Sequence, residues 1–262
     1  MVREAPFGSH MRRCCHRSTT DSLGQRGDTA WAPTRMRYPS LVAISTVLFD
    51  FDFTLGDSSA GIIECVNLAL EDMGLPKAAP HAIVTTIGLS LETMFVRLTG
   101  LDHPRKLEFK QRFISHADRI MTQHTHLYPW VPVLLRELKS HGHTLGIVTT
   151  KRSYRIAEVF ERERLASMLD TIVGSDMVMA PKPSPEGLLR AIQNLGVPAS
   201  QVLYVGDTVT DAEAANRAGI SFAAVLTGPT PASAFAPLAP RAILPDARAI
   251  ETVIGRFGAL AC

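Results

Sequence analysis

From residue 41 onward the chain alternates short, uninterrupted apolar runs with segments whose apolar positions recur every three or four residues. Thr46-Val47-Leu48-Phe49 runs into Asp50, Leu145-Gly146-Ile147-Val148 into Thr149, and Val202-Leu203-Tyr204-Val205 into Gly206-Asp207. Runs of this length without polar alternation predict strands covered on both faces, as in a parallel sheet. Thr171-Ile172-Val173 and Phe222-Ala223-Ala224-Val225 are weaker fourth and fifth candidates. The helices between them have readable ends. Ser184 is placed to cap one, with Pro185 at its first position; Leu188, Leu189, Ile192 and Leu195 form its apolar stripe, and Gly196 with Pro198 stops it. Strand and helix in alternation predict a doubly wound α/β sheet.

One interval breaks the alternation. Residues 58–127 read as helices only: Ile62, Val66, Ala69, Leu70 and Met73 make a stripe that Ser58 or Ser59 caps and Gly74 with Pro76 ends, and further helices are expected at 90–99 and 103–122. This segment is expected to be an inserted, all-helical cap domain over the sheet's carboxyl edge, with 41–57 and 128–262 forming the α/β core. The Ala/Pro-rich stretch 228–240 reads as a surface loop, and 241–257 as a short strand followed by a closing amphipathic helix.

The chain has 262 residues, 46% hydrophobic and 20% charged, which is enough apolar mass for a substantial core and too much for a disordered chain. No apolar run reaches the roughly 18 residues of a membrane-spanning helix, so a membrane is set aside as a partner. Residues 1–40 carry seven Arg against Glu4, Asp21 and Asp28, a net +4, which leaves the remainder at −2. The basic balance thus belongs to the leading segment, and the folded part lacks the charge expected of a nucleic-acid surface. Residues 1–40 are polar, without hydrophobic periodicity, and are expected to be a disordered leader. Cys14, Cys15, Cys65 and Cys262 have neither zinc-site spacing nor disulfide-scaffold density, so the default is a reducing, cytoplasmic setting.

The chemistry follows from where the strands end. In an open α/β sheet, ligands bind beyond the carboxyl ends of the strands. Three predicted strands deliver Asp50, Thr149 and Asp207 to that edge, with Asp52 two residues past Asp50 and Asp211 one helical turn past Asp207. Any one such Asp is more often a turn former or a helix cap. Four acids converging on one edge repel one another unless a cation or a shared proton relieves them. With all-oxygen ligands and no His or Cys near the strand ends, Mg²⁺ is the favoured ion, and a magnesium ion with few protein ligands accepts a substrate phosphate. Lys182, held between Pro181 and Pro183, supplies a positive charge on a stiff loop, and Thr149 a hydroxyl.

These residues resemble a known family. Asp50-Phe51-Asp52-Phe53-Thr54-Leu55 is similar to the first motif of the haloacid dehalogenase superfamily, whose phosphatases carry D-x-D-x-T-L; Thr149-Thr150-Lys151 resembles the second motif, Lys182 with its prolines the third, and Gly206-Asp207-Thr208-Val209-Thr210-Asp211 the fourth. The helical insertion and its Ile87-Gly88-Leu89-Ser90-Leu91 stretch most resemble the phosphoglycolate-phosphatase-like branch. Phe53 stands where that branch usually has Gly, and Thr150 where it often has Asn. The resemblance implies a Rossmann-like core, a nucleophilic Asp50 that forms an aspartyl-phosphate, and Asp52 as general acid and then base. It implies Mg²⁺ bound by Asp50, the main-chain carbonyl of Asp52, Asp207 and Asp211, with Thr149, Thr150 and Lys182 on the phosphate. The implied substrate is a small phosphorylated metabolite, and the implied assembly a monomer or homodimer. A phosphosugar mutase, a pyrophosphatase or a catalytically idle phosphate-binding module on the same fold are the alternatives.

The remaining candidates carry less. His81, His103, His116, His124, His126, His141 and His143 lack metal-ligand spacing and read as surface or locally hydrogen-bonded groups. Lys77, Arg97 and Arg119 are conceivable substrate contacts, although a solvated face is the plainer reading. Asp57 is expected either to cap the first insertion helix or to serve a hinge.

Overall fold

The computed structural model describes residues 43–102 and 104–254; the expected leader and His103 lie outside them. In chain order the elements begin with β1 (Thr46–Phe49), β2 (Gly56–Asp57), α1 (Ser59–Asp72), α2 (Pro80–Val84), α3 (Leu91–Thr99), α4 (Arg105–Ile120) and β3 (His126–Leu127). Then come α5 (Val131–Ser140), β4 (Thr144–Val148), α6 (Ser153–Arg162), β5 (Thr171–Val173), α7 (Glu186–Leu195), β6 (Val202–Gly206) and α8 (Val209–Ala218). β7 (Ser221–Val225), α9 (Ala232–Phe235), β8 (Ala242–Leu244) and α10 (Glu251–Ile254) complete the described chain.

Six strands form one parallel sheet in the order β5-β4-β1-β6-β7-β8. The chain fills it outward from β1 through β4 to β5, then returns to lay β6, β7 and β8 on the other side, so the order reverses beside β1. That reversal opens a crevice at the carboxyl ends of β1, β4 and β6. The register is direct: Phe49 lies level with Ile147 on one side and Val205 on the other, so the residues that follow each strand emerge together.

The unbroken apolar runs make sense against this sheet, because each strand feeds two cores in alternation. Val47, Phe49, Leu145, Ile147, Leu203 and Val205 join Leu134, Leu135 and Leu138 of α5 and Ile156, Val159 and Phe160 of α6 on one face. Leu48, Val148, Val202 and Tyr204 join Leu188 and Ala191 of α7 and the alanines of α8 on the other. The result is a three-layer, doubly wound, Rossmann-like core.

The insertion between β1 and β4 has an apolar core of its own, in which Cys65, Val66 and Leu70 of α1, Phe95 of α3 and Phe109 and Phe113 of α4 are buried. The chain leaves and re-enters the sheet through β2 and β3, which pair antiparallel at Gly56 with Leu127 and Asp57 with His126. Asp57 is both a strand residue of this ribbon and a partner of α1, its Oδ1 accepting the Ser59 N–H at 2.7 Å. None of the described helices is long and apolar enough to cross a membrane.

Three expectations shift. α7 begins at Glu186, one residue later than expected, and Ser184 Oγ accepts the Glu186 N–H at 3.3 Å. Stretch 228–240 contains the short α9, which buries Phe235 against Phe222 and so is anchored rather than a bare surface loop. After β8 the chain makes a 3₁₀ turn, Ala247–Ile250, and the four-residue α10 instead of a full amphipathic helix; Ala247 and Ile250 alone are buried there. Residues 255–257 of the expected helix lie outside the described residues.

Of the two settings expected for His143, the structure gives the local hydrogen bond, to the Ser45 backbone, and not the surface: it is only 3% exposed, and burial holds its pKa below the ordinary 6.5. Unfolding therefore takes up a proton near neutrality, so stability rises with pH across that window and falls on acidification below about 6.5. The thermal midpoint of the parent should drop more steeply from pH 7.5 to 5.5 than that of His143→Leu. Equal slopes would show that this ring does not titrate differently in the two states.

Candidate active site

Asp50, Thr149 and Asp207 each follow a strand of the crevice, and their backbones are fixed by the sheet: the Asp50 N–H donates to Val205 O at 2.8 Å and the Thr149 N–H to Val173 O at 3.0 Å. Beyond Asp50 the chain folds into a tight loop in which the N–H groups of Thr54, Leu55 and Gly56 all donate to Phe51 O. Asp211 is placed by the start of α8. Its Oδ2 accepts from the Thr208 N–H at 3.0 Å and from the Thr208 hydroxyl, while Thr208 Oγ1 accepts the Asp211 N–H, a reciprocal capping box.

One carboxylate oxygen each from Asp50, Asp207 and Asp211 lies within 4.8 Å of the other two, and all three residues are buried. Lys182 Nζ reaches into this group, 3.0 Å from Asp50 Oδ1 and 2.5 Å from Asp211 Oδ1, and donates to the Tyr204 hydroxyl at 3.0 Å. Tyr204 OH also lies 2.8 Å from Val148 O and 3.0 Å from Asp211 Oδ1, so a phenol on the sheet's inner face holds the lysine in place.

Three acids facing one ammonium leave excess negative charge in a dry site. Burial pushes the pKa of Asp50 up to about 6 against the pull of Lys182, and the charges of Asp211 and Asp52 add to the rise. Burial likewise lifts Asp207 well above the ordinary carboxylate range, with Asp211 and Asp50 contributing. Burial works against the Lys182 ammonium too, yet Asp211 and Asp50 outweigh it and raise its pKa. Asp207 Oδ2 is buried without a hydrogen-bond partner among the described residues, and Asp50 Oδ1 meets Lys182 without an aligned hydrogen bond. A Cβ at Gly228 would stand 1.9 Å from Asp207 Oδ2, so only glycine leaves that oxygen its place. Hard oxygen donors, uncompensated charge and an orphaned carboxylate oxygen fit a small divalent cation.

The carboxylate of Asp52 is not in this group of three. Its Oδ2 lies 2.9 Å from Lys151 Nζ, and its Oδ1 accepts from the Ser58 hydroxyl, which in turn accepts from Lys151 Nζ at 2.6 Å. Asp52 faces a cavity of about 320 Å³ between the crevice and the insertion. Thr150, Lys151 and Pro181 line it from the core, and Ile62, Ile87 and Phe113 from the insertion. Gly88, at φ +94°, brings the insertion close to the fourth-motif loop; a Cβ there would meet Thr208 Cγ2 at 2.8 Å. Lys77, Arg97 and Arg119 are not among the residues lining the cavity, and Lys77 pairs with Glu71 at the surface.

Lys151, Ser58 and Tyr204 are the site residues that sequence reasoning missed. Tyr204 carried a usable signal, since a phenol inside an otherwise aliphatic strand must find a partner for its hydroxyl. Phe53 is the second notable residue of the loop after β1. It holds φ +56°, a left-handed conformation rare for non-glycine residues, and its ring packs into the apolar core of the insertion. Replacing it by Gly relieves a strain of roughly 1–2 kcal/mol and removes packing worth roughly 3–5 kcal/mol. Phe53→Gly should therefore lose about 2 kcal/mol, a fall in thermal midpoint of several degrees. A midpoint above that of the parent would reverse the ranking of the two effects.

The haloacid dehalogenase-like hydrolase family matches residues 47–225. The chain is 32% identical over 184 residues to a phosphoglycolate phosphatase of Aliivibrio fischeri, covering 67% of this chain and 81% of the relative. It is also 32% identical over 182 residues to a phosphoglycolate phosphatase of Aquifex aeolicus, covering 70% and 84%. A solved haloacid dehalogenase-like hydrolase of Bacteroides fragilis superimposes with a TM-score of 0.75 at 37% identity, over 78% of this chain and 98% of that one. Fold, motif order and kinship agree: the chain belongs to the haloacid dehalogenase-like hydrolases, as a phosphoglycolate-phosphatase-like enzyme acting on phosphoric esters.

Proposed function

We propose that the protein is a Mg²⁺-dependent phosphatase that hydrolyses a small organic phosphomonoester through an aspartyl-phosphate on Asp50. What supports this reading above all is the meeting of Asp50, Asp207 and Asp211 around Lys182, with an unpartnered Asp207 oxygen, beside a cavity that Asp52 faces. Asp50 attacks phosphorus and the alkoxide departs, splitting one slow displacement into two faster ones. Asp52 gives a proton to the leaving oxygen, then takes one from the water that hydrolyses the intermediate. Lys182 bridges nucleophile and phosphoryl oxygens, and the hydroxyls of Thr149 and Thr150 orient them. Asp50, Asp207, Asp211 and the main-chain carbonyl of Asp52 would hold the ion, which supplies neutralisation of phosphoryl charge when bound.

Phosphomonoesters can demand accelerations near ~10²¹-fold, so charge neutralisation must carry a large share of the catalysis. Residues 58–127 act as a cap that excludes water from the cavity. The proposed setting is cytoplasmic, with a monomer or homodimer acting on a freely diffusing metabolite; phosphoglycolate is the first candidate by kinship, with sugar phosphates, nucleotides and pyrophosphate as the others to test. Purified protein incubated with phosphoglycolate, sugar phosphates and nucleotides should release inorganic phosphate from at least one of them with Mg²⁺, and lose at least about 10²-fold of that rate when the ion is chelated; release from pyrophosphate alone would favour a pyrophosphatase. No release from any of them would sink the reading.

A further inference from the structure

Ser58 stands where a serine ordinarily caps a helix, yet its side chain makes no bond to α1, and Asp57 Oδ1 takes the Ser59 N–H instead. The stabilisation that a serine cap gives is forgone. The Ser58 hydroxyl is turned inward and buried, donating to Asp52 Oδ1 and accepting from Lys151 Nζ at 2.6 Å.

Lys151 is as firmly committed. Its side chain is buried, which an ammonium tolerates only when paired and hydrogen-bonded, and Nζ lies 2.9 Å from Asp52 Oδ2. Its backbone is pinned on both sides: the N–H donates to Thr149 Oγ1 at 3.3 Å, and the carbonyl accepts the Ser175 N–H at 2.9 Å. A Cβ at Gly174 would stand 2.7 Å from that carbonyl, so glycine lets the two loops close on each other. Met121 of the insertion lies against the ammonium, its Sδ 3.9 Å from Nζ. The loop after β1, the head of α1 and the loop after β4 thus each contribute one side chain to a closed ring of Asp52, Ser58 and Lys151.

We infer that Lys151 and Ser58 are positioning residues that aim the proton of Asp52 at the leaving oxygen. This rests on the phosphatase reading above. A carboxyl group offers about four lone-pair sites. Lys151 and Ser58 engage one on each oxygen, which fixes the plane of the group and leaves the others for the cavity it faces. As the bond from phosphorus to the alkoxide oxygen breaks and the bond to Asp50 forms, Asp52 gives its proton to that alkoxide. The carboxylate left behind meets an ammonium and a hydroxyl already in place. The ring therefore matters most for esters whose leaving group departs poorly as an anion. Alkyl phosphates are of this kind, whereas p-nitrophenyl phosphate, which releases a stable phenolate, is not.

Phosphate release from two alkyl esters, phosphoglycolate and ribose 5-phosphate, is compared with release from p-nitrophenyl phosphate, all with Mg²⁺. Because kcat/KM covers only the steps up to the aspartyl-phosphate, it isolates the half-reaction in which Asp52 gives its proton. The measured quantity is kcat/KM for the aryl ester divided by that for the faster alkyl ester. In Lys151→Met it should rise about 10²-fold, the cost of a misplacement of about 1 Å. In Ser58→Ala it should rise about tenfold, the loss of one hydrogen bond. Neither substitution should raise it further in an Asp52→Asn background, because both act through Asp52. A ratio that stays at the parent's value in the single variants, or that climbs again on top of Asp52→Asn, overturns the inference and leaves the phosphatase reading standing. Should Lys151→Met not fold, Ser58→Ala decides by the same ratio. No phosphate from any of the three esters with the parent protein overturns both.

Discussion

Asp50→Asn is expected to lower kcat by at least about 10⁴-fold, because the amide cannot attack phosphorus and no second carboxylate is placed to replace it. The same substitution should stabilise the metal-free protein. Burial already lifts the pKa of Asp50 from 3.8 to about 6 despite Lys182, so its charged form is held in the fold at a cost. That difference corresponds to up to about 3 kcal/mol at pH 7.5. A carboxylate with a raised folded pKa contributes stability that is present below its unfolded pKa and lost as pH climbs through the folded one. In chelator, the parent should therefore lose stability between about pH 4 and 6, and Asp50→Asn should lose less. Phosphate release and thermal midpoints read the two effects separately. A variant that is inactive and also less stable at pH 7.5 would point to a wrecked fold rather than a lost nucleophile.

Lys182→Met is expected to have the opposite balance, losing both activity and about 3–5 kcal/mol of stability, the cost of stripping a buried cluster of its counter-charge. Nζ lies within 3.0 Å of both Asp50 and Asp211, and among the described residues no other positive side chain lies within ion-pair distance of those two carboxylates. Without it, Asp50 and Asp207 must be protonated or bind a cation for the core to close. The loss should accordingly be larger at pH 8 than at pH 5.5, where neutral carboxyls suit the site. Denaturant midpoints at the two pH values in chelator, and again with Mg²⁺, measure this. A loss that does not change with pH would mean that the lysine's alkyl chain, not its charge, is what the cluster needs.

The strands were legible because burial on both faces leaves no polar position in a run. With strand ends come the positions of Asp50, Thr149 and Asp207, and the repulsion among acids at one edge already argued for a cation. What was not legible depends on side-chain reach. Lys151 and Ser58 are far apart in sequence, and only the ribbon of β2 and β3, two residues per strand and too short for any hydrophobic pattern, brings α1 back to where they meet Asp52. The sequence pattern also crowds four carboxylates together, whereas the structure turns that of Asp52 toward the cavity, since its side chain points away from the strand's axis once the loop has curled over Phe51 O. The closing segment misled for another reason: its apolar residues Ala247 and Ile250 pack on the sheet through a single 3₁₀ turn, so no helical period was required of them.

The ribbon has one more consequence. Because exit and re-entry are hydrogen-bonded neighbours, at Gly56 with Leu127 and Asp57 with His126, the helical segment is joined to its host like a cassette in a slot. Related enzymes could exchange such cassettes by splicing at these four residues without re-threading the sheet. Phe53 limits the trade: any replacement must bring a greasy notch to receive its ring, or the recipient would be left with an aromatic group stranded beside the acids of its first strand's end.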